Sequence, residues 1–492
     1  MYHYNLSHEI DQMNNCLLQY NDLNSQNPSQ QTASPISNDQ MASNGFILSE
    51  NKTNQLIDDS LTDYLDYSMD ALIEVLVPTP SYIPKEKFLY SMLLCSRMNI
   101  RPSLLFNRLA NLTIKSILNM TLDESIRTIK NYIYILSQWT RTFPYDFRNN
   151  EMISQLQDLF KKLILFQPNF QSDLDYIYKK LQLKLKSLDN YEEYIKQLNK
   201  KTMFNLTRSN FVTDIINECS TSSLFAQQLT HIELDRLKSV GDEELIQYFI
   251  MKFASEESDG NKNKGSKSLI HDKKLTFCLE LYIQWFNRLT FFVPTEIVKH
   301  TQKRSRVKLI NFFIDSAYQC FHLQNFNSMI AIISGLNMQP VKRLKRSWEK
   351  VEIEKFHQLE EYINVSKNFS TYRLIYKLAK EEAEKHKWKT DKFVIPFLSI
   401  TLQDVYFIKT HSQDYNSDRT INFKKYYSMA KFISEEFQRC KQSKCSFERN
   451  DDVINYIITS PTFNEDSLML ASFECEPPIN LSEKDKYKIL QK

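Results

Sequence analysis

The side chains in this chain that could make or break bonds are spaced in ways that assemble no recognisable catalytic set. Its 9 histidines include no His-Glu-x-x-His pair, and its 8 cysteines (Cys16, Cys95, Cys219, Cys278, Cys320, Cys440, Cys445 and Cys475) include no Cys-x-x-Cys. Neither the ligand spacing of a zinc site nor a redox dithiol is therefore present. Cys440 and Cys445 have four residues between them but lack a second half-site. Gly260 and Gly265 in DGNKNKGSKS imitate a phosphate-cradling loop, yet Ser266 stands where the lysine is required and no apolar strand leads in. The stretch reads as a surface insertion. No Gly-x-Ser-x-Gly elbow and no kinase loop set occurs, and the carboxylates are spread along charged, solvated helix faces.

The elements that must position any site follow from composition. The chain has 492 residues, 42% of them hydrophobic and 13% aromatic, which suffices for several packed cores. Only 5 glycines occur, so turns that need positive φ and nucleotide-binding glycine loops have almost no raw material. The fold class is all-α. A net charge of +3 is too small to make nucleic acid the default partner. The cysteines read as reduced thiols of a cytosolic protein. No signal peptide, membrane-spanning run or prenylation box is seen, so the protein is placed in the cytoplasm, with membrane visits made through a partner.

Along the chain, residues 1–57 form an Asn/Gln/Ser-rich tail expected to be disordered, because they offer too little apolar surface to offset ordering entropy. Helical spacing begins near Asp58. Thr121 and Glu124 make a Thr-x-x-Glu capping box, followed by Ile126, Ile129, Ile133 and Leu136 on one face, and the helix should end near Trp139, before Pro144. Residues 58–165 thus form a first domain, and 166–218 a helical connector in which charges alternate with Leu, Ile and Tyr over 173–201. Residues 219–450 form a larger helical domain, with stripes at Val307, Ile310, Ile314, Ala317 and Phe321, then Met329, Ile330, Ile333 and Leu336. Residues 451–492 are a C-terminal extension.

Several strings, in order, resemble the catalytic domain of Ras-type guanine-nucleotide exchange factors. They are LFAQQLTHIELDRLKSV (224–240), WFNRLTFFVPTEIV (285–298), LQNFNSMIAIISGLNMQPVKRLKRSWEKV (323–351), NFSTYR (368–373), VIPFLSITLQDVYFI (394–408) and INFKK (421–425). The most specific is 323–351, in which Asn325, Phe326, Asn327, Gly335, Leu336, Arg343, Leu344 and Trp348 all fall at family positions. In the first domain DALIEVLV (70–77), KFLYSMLLCSRMNIRPSLLFNRL and WTRTFPYDF (139–147) are similar to the Ras exchanger motif that accompanies this catalytic domain.

The resemblance implies an exchange factor with no bond chemistry and no cofactor or metal of its own. It would promote GDP release and GTP loading on a Ras-family small GTPase of the Ras or Rap branch. A helical hairpin, here about Val394 to Lys431, would wedge open the first switch of the GTPase. Pro396, Phe397, Asn422 and Phe423 would support the hairpin, and a bowl including Asn287, Asn337 and Tyr372 would hold the second switch. The wedge positions carry Tyr406 and Thr410. The family commonly has a branched aliphatic residue and, one turn on, an acidic residue there, and here Lys409, Thr410 and His411 replace the acidic stretch. A non-catalytic GTPase-binding scaffold with a degenerate wedge is therefore the alternative reading.

Overall fold

A computed structural model describes residues 67–207, 213–250, 276–386 and 391–491. The tail expected over 1–57 and the insertion containing Gly260 and Gly265 lie outside the described residues. Within these limits the structure is helical, with isolated bridges and no sheet, as the glycine content and the helical spacing imply.

The first domain is built from α1 (Met69–Leu76), α2 (Glu86–Cys95), α3 (Pro102–Leu118), α4 (Leu122–Thr142) and α5 (Asn150–Phe166). The capping box at the start of α4 is formed in both directions. Glu124 N–H donates to Thr121 Oγ1 at 3.4 Å, and Thr121 N–H to Glu124 Oε2 at 3.0 Å. The helix runs to Thr142, about a turn past Trp139, before Pro144 interrupts it. Its buried face is Ile129, Tyr132, Leu136 and Trp139; Ile126 and Ile133 lie at the margin. Trp139 decides this orientation, since its ring packs edge-on against Phe106 and Phe147 and its indole N–H donates to Asp146 at 2.8 Å. The connector is one long helix, α6 (Gln171–Thr207).

The second domain comprises α7 (Ser222–Ser239), α8 (242–250), α9 (Phe277–Val298), α10 (Lys303–His322), α11 (Phe326–Asn337), α12 (Glu354–Tyr362), α13 (Ser366–Lys385), α14 (Leu398–His411) and α15 (Phe423–Gln442). At its centre lies α11, buried from Phe326 through Leu336. Gly335 lets it sit directly on α9: a Cβ there would stand 2.6 Å from Thr290 O and 2.8 Å from Val293 Cβ. The stripes expected on α10 and α11 are core faces, with Ile310, Ile314 and Ala317 buried.

Residues beyond 450 form more than an appendage. α16 (Asp451–Thr459) and α17 (Glu465–Cys475) bury Val453, Ile454, Ile457, Leu468 and Phe473, while α18 (Leu481–Leu490) buries nothing. Arg343 holds this segment by donating to Ser472 O at 2.9 Å and Glu476 O at 2.8 Å and by pairing with Glu483 at 3.1 Å. Among the described cysteines Cys95, Cys219, Cys278, Cys320 and Cys440 are buried and none is in a disulfide. Among the described residues no helix is long and apolar enough to cross a membrane.

Candidate functional site

The site is the antiparallel pair α14 and α15, and its base is fixed by the strings singled out in the sequence. Asn325 caps α11 by accepting Ser328 N–H at 3.1 Å, and at this joint, just after the left-handed Gln324, the chain forms a parallel bridge with the entry to α14 at Ile395. Phe326 N–H donates to Ile395 O at 3.1 Å, and Ile395 N–H to Gln324 O at 2.9 Å. Pro396 and Phe397 are buried at this joint. Asn327 then links two levels, accepting Leu398 N–H at 3.4 Å while its amide donates to both oxygens of Glu233 at 3.1 and 3.2 Å.

Glu233 on α7 is fully buried and is also approached by Ser328 Oγ at 2.7 Å and Trp285 Nε1 at 3.0 Å. Burial pushes its carboxyl up, and these donors hold it part of the way back. A buried carboxylate with this many donors is a rigid node. It ties α7, α9 and α11 to the start of α14.

Tyr372, expected on the bowl, is 3% exposed and faces inward. Its hydroxyl accepts Phe397 N–H at 2.8 Å, and its ring lies among Phe326, Tyr376 and Phe397. It braces the hairpin base from below because an aromatic of this size, one turn into α13, fills the gap between α11 and α14. The large apolar side chains exposed on that helix are Leu374 and Leu378. The turn before Tyr372 is left-handed, with φ of 52°, 55° and 58° at Lys367, Asn368 and Phe369. Such a run in non-glycine residues is strained. Arg373 steadies it by donating to Asn368 O at 3.0 Å, and the same guanidinium grips Asp404 of α14 in a two-pronged pair at 2.7 and 2.8 Å.

Asn337 is half-buried at the end of α11, and its amide donates to Glu360 at 3.0 Å. Asn287 is half-buried on α9, the helix on which α11 rests.

The tip is built differently. Asn422 caps α15 by accepting Lys425 N–H at 3.2 Å and donates to Gln413 O at 3.0 Å. Lys425 is buried, and its ammonium reaches back across the hairpin to Ser412 O at 2.7 Å, to Lys409 O and to Asp414 at 2.6 Å. A cation at the carboxyl end of α14 meets the dipole and its unpaired carbonyls together. Lys409 completes a triad through Asp414 at 2.6 Å. Although half-buried, Asp414 is held below the usual carboxylate range by hydrogen bonds from Lys409 and Lys425. Burial, together with the neighbouring Lys409 charge, draws Lys425 below the usual lysine range. Lys425 belongs to one of the family strings but carries no role there, and nothing in the sequence points to Asp414, because a contact across a loop has no local periodicity.

What α14 shows to solvent is one stripe at helical spacing: Gln403, Tyr406, Phe407, Thr410 and His411. Tyr406 is 37% exposed, and its ring is backed by Phe249 of α8 at 6.2 Å. Thr410 Oγ1 donates to Tyr406 O at 3.0 Å, so its hydroxyl is turned back onto the helix backbone. Phe407 is 40% exposed and stacked on His411 at 4.3 Å. No carboxylate stands on this face.

The first domain grips the opposite side of the pair. Phe88 of α2 packs on Phe423 at 5.1 Å, and Cys95 Sγ donates to Tyr426 O at 3.3 Å. Asn99 accepts the Tyr426 hydroxyl and donates to that of Tyr415, in the hairpin loop, at 2.6 Å. The returning arm continues past Lys431 to Gln442, where Lys441 pairs with Asp242 at 2.5 Å.

Among the described residues no cluster of His, Cys, Asp or Glu could hold a metal ion. Comparison with known proteins matches residues 224–427 to the RasGEF domain. Over 436 residues the chain is 39% identical to "Ras-GEF domain-containing family member 1B" of Xenopus tropicalis, covering 87% of this chain and 90% of that protein. The human protein of that name is 36% identical over 437 residues, with 87% and 90% covered. "Ras-GEF domain-containing family member 1C" of Macaca fascicularis is 35% identical over 429 residues, with 86% and 90% covered.

Proposed function

Since the chain belongs to the family of Ras-type guanine-nucleotide exchange factors, the RasGEF family, we propose that it opens the nucleotide site of a Ras-family GTPase, of the Ras or Rap branch, by inserting the exposed stripe of α14 at the first switch. One observation carries this reading: a solvent-facing aromatic row, Tyr406 to His411, rises from a base saturated with buried hydrogen bonds. A rigid base lets contact energy be spent on distorting the partner and not the wedge.

Tyr406 supplies bulk at the switch and Thr410 lies one turn further along the same face. Pro396, Phe397, Asn422 and Phe423 hold the two arms, and Asn287, Asn337 and, from beneath, Tyr372 shape the surface for the second switch. Small GTPases that bind nucleotide with picomolar Kd hold it by roughly 16 kcal/mol, so exchange requires a partner that prefers the empty state. By linkage, such a partner weakens nucleotide binding by the factor that nucleotide weakens its own. The cycle runs toward GTP through mass action, in the cytoplasm and at whatever membrane the GTPase occupies. The absence of a carboxylate on the α14 face supports expulsion by bulk with little charge repulsion.

The test is release of a fluorescent nucleotide from a panel of Ras- and Rap-branch GTPases. Acceleration of at least one supports exchange. Tight binding of an empty GTPase without acceleration of any would favour the scaffold reading, for which the missing acidic residue at Thr410 is the motive.

A further inference from the structure

The first domain carries an exposed surface of its own, where α5 turns into α6. Arg148, just before α5, pairs with Asp189 of α6 at 2.6 Å and with Glu192, and Gln157 donates to the Tyr178 hydroxyl at 2.6 Å. These crossings make the two helices an antiparallel hairpin. Its turn, Pro168–Phe170, buries no side chain and brings the last residues of α5 beside the first turns of α6. Apolar side chains there face solvent: Leu165 is 84% exposed, and Phe166, Tyr176 and Leu183 are exposed with it. On α6, Tyr176, Lys180, Leu183 and Ser187 form one outward stripe, turned away from the buried Leu174, Leu181 and Leu188.

The same surface is basic. Between Tyr176 and Leu188 stand Lys179, Lys180, Lys184 and Lys186 and no acid, and Lys162 is exposed near the end of α5. Among the described residues none of these lysines is in an ion pair. The neighbouring acids are otherwise placed: Asp158 is paired with Lys161 at 3.3 Å, and Asp173 and Asp175 stand in the opening turns of α6, where the helix dipole favours them. Lys180 Nζ lies 5.3 Å from the centre of the Tyr176 ring, so cation and aromatic share one edge.

Two features decide what fits this surface. Its cations are all lysines; protein interfaces are depleted in lysine and draw on arginine, whereas an anionic leaflet attracts lysine as a point charge, with roughly fivefold in partitioning for each one near the surface. Its apolar side chains alternate with those lysines, so that they can enter the acyl boundary while the ammonium groups reach the headgroups. Nucleic acid would match the charge but offer nothing to the leucines. We infer that the tip of the α5–α6 hairpin docks on an anionic lipid bilayer, holding the protein at the membrane by its own contact and not only through the GTPase.

The experiment is flotation of the full chain with vesicles of phosphatidylcholine alone or mixed with phosphatidylserine. Binding is expected to the mixed vesicles only. Lys179→Gln, Lys180→Gln and Lys184→Gln together should lower partitioning by about tenfold or more. Lys484→Gln, Lys486→Gln and Lys488→Gln, an equal loss of charge on α18, should leave it unchanged. Leu165→Ser with Phe166→Ser should weaken binding several-fold with every charge kept. The replaced side chains are exposed, so all three variants should melt with wild type. With a GTPase tethered to the mixed vesicles, the α6 lysine variant should release nucleotide several-fold more slowly than wild type, and at the same rate in solution. Flotation needs no exchange activity, so it tests the membrane contact separately from the proposed function. Failure of the wild type to float with the mixed vesicles, or equal losses for the two lysine sets, would overturn the inference. Tight binding of a polyglutamate peptide or an RNA hairpin without flotation would also overturn it, and would assign the surface to a protein or nucleic acid.

Discussion

The base and the tip of the α14–α15 pair are made on opposite plans. At the base, Glu233, Asn327 and Tyr372 are buried and matched donor to acceptor, with Trp285 and Ser328 completing the set around the carboxylate. At the tip, the polar contacts are charges tied across a loop by Lys425, and the outward side chains are aromatic and exposed. The base fixes where α14 starts and in which direction it points, whereas the tip is free to be shaped by what it touches. A change at the base should therefore act through folding, and a change on the tip face through the partner.

The largest effect should come from Asn327→Ala. It strips both oxygens of Glu233 of a donor and leaves Leu398 N–H without its acceptor. Leaving buried polar groups unpaired costs about 3 kcal/mol in total. Chemical denaturation should show this loss, with exchange falling only as the folded fraction falls. Loss of exchange at unchanged stability would break the contrast.

Glu243 sharpens it, because it is a buried acid of the other kind. It sits at the start of α8 with neither carboxylate oxygen hydrogen-bonded. Burial raises its pKa from 4.5 to about 7, with Arg97 pulling back and Asp146 and Asp242 adding to the rise. A raised folded pKa means that the native state holds the proton more tightly. Stability from this group is thus full below about pH 4.5, drains as pH rises toward about 7, and is level beyond. Glu243→Gln should stabilise the protein by about 2 kcal/mol near pH 8, because each tenfold difference in proton affinity between the folded and unfolded chains is worth about 1.4 kcal/mol and relaxation removes part of the gain. Melting curves at that pH and near pH 4.5 check the sign; a gain at the acid end would contradict it.

Tyr372→Phe removes the hydroxyl that accepts Phe397 N–H and should cost about 1 kcal/mol of stability. Were Tyr372 instead a surface contact, the same substitution would weaken binding to the empty GTPase and leave the melting curve unchanged.

The base was legible through the family resemblance, which placed Asn325, Asn327, Gly335, Pro396 and Phe397, and in part through local signals, but its long-range node at Glu233 was not. Asn325 precedes an apolar helix as a cap, and Gly335 sits where α11 must touch α9. The capping box of Thr121 and Glu124 likewise fixes a helix start from residues three apart. The inward turn of Tyr372 was not legible, for a physical reason: family position says that a residue matters, not which way its side chain points, and the left-handed turn at Lys367–Phe369 rotates it toward the core. The ion triad of Lys409, Asp414 and Lys425 was hidden because its members meet only after the loop folds. Of the exposed row, Tyr406 and Thr410 were placed by the family resemblance, while Gln403 and Phe407 were not singled out, because helical spacing marks a face without saying whether it is buried.

Among the smaller effects, Lys425→Met should free Asp414 and the last carbonyls of α14 while keeping the apolar stem. We expect a loss of stability of about 1 kcal/mol and a several-fold fall in exchange, since the tip would no longer be held in line. Hydrogen exchange over residues 409–425 should rise, and an unchanged profile there would show that the triad is dispensable.

Opening of the GTPase by α14 is tested most directly with Tyr406→Ala, measured by stopped-flow nucleotide release alongside affinity for the nucleotide-free GTPase. Tyr406 is exposed and its backbone sits in a helix anchored elsewhere, so the melting temperature should not move. The expected result is a fall in maximal release rate of about tenfold or more with a smaller loss of affinity, because the ring acts chiefly while nucleotide is being expelled. Equal release by the variant and the wild type at saturating concentration would contradict it, and α14 would then not be the element that opens the GTPase.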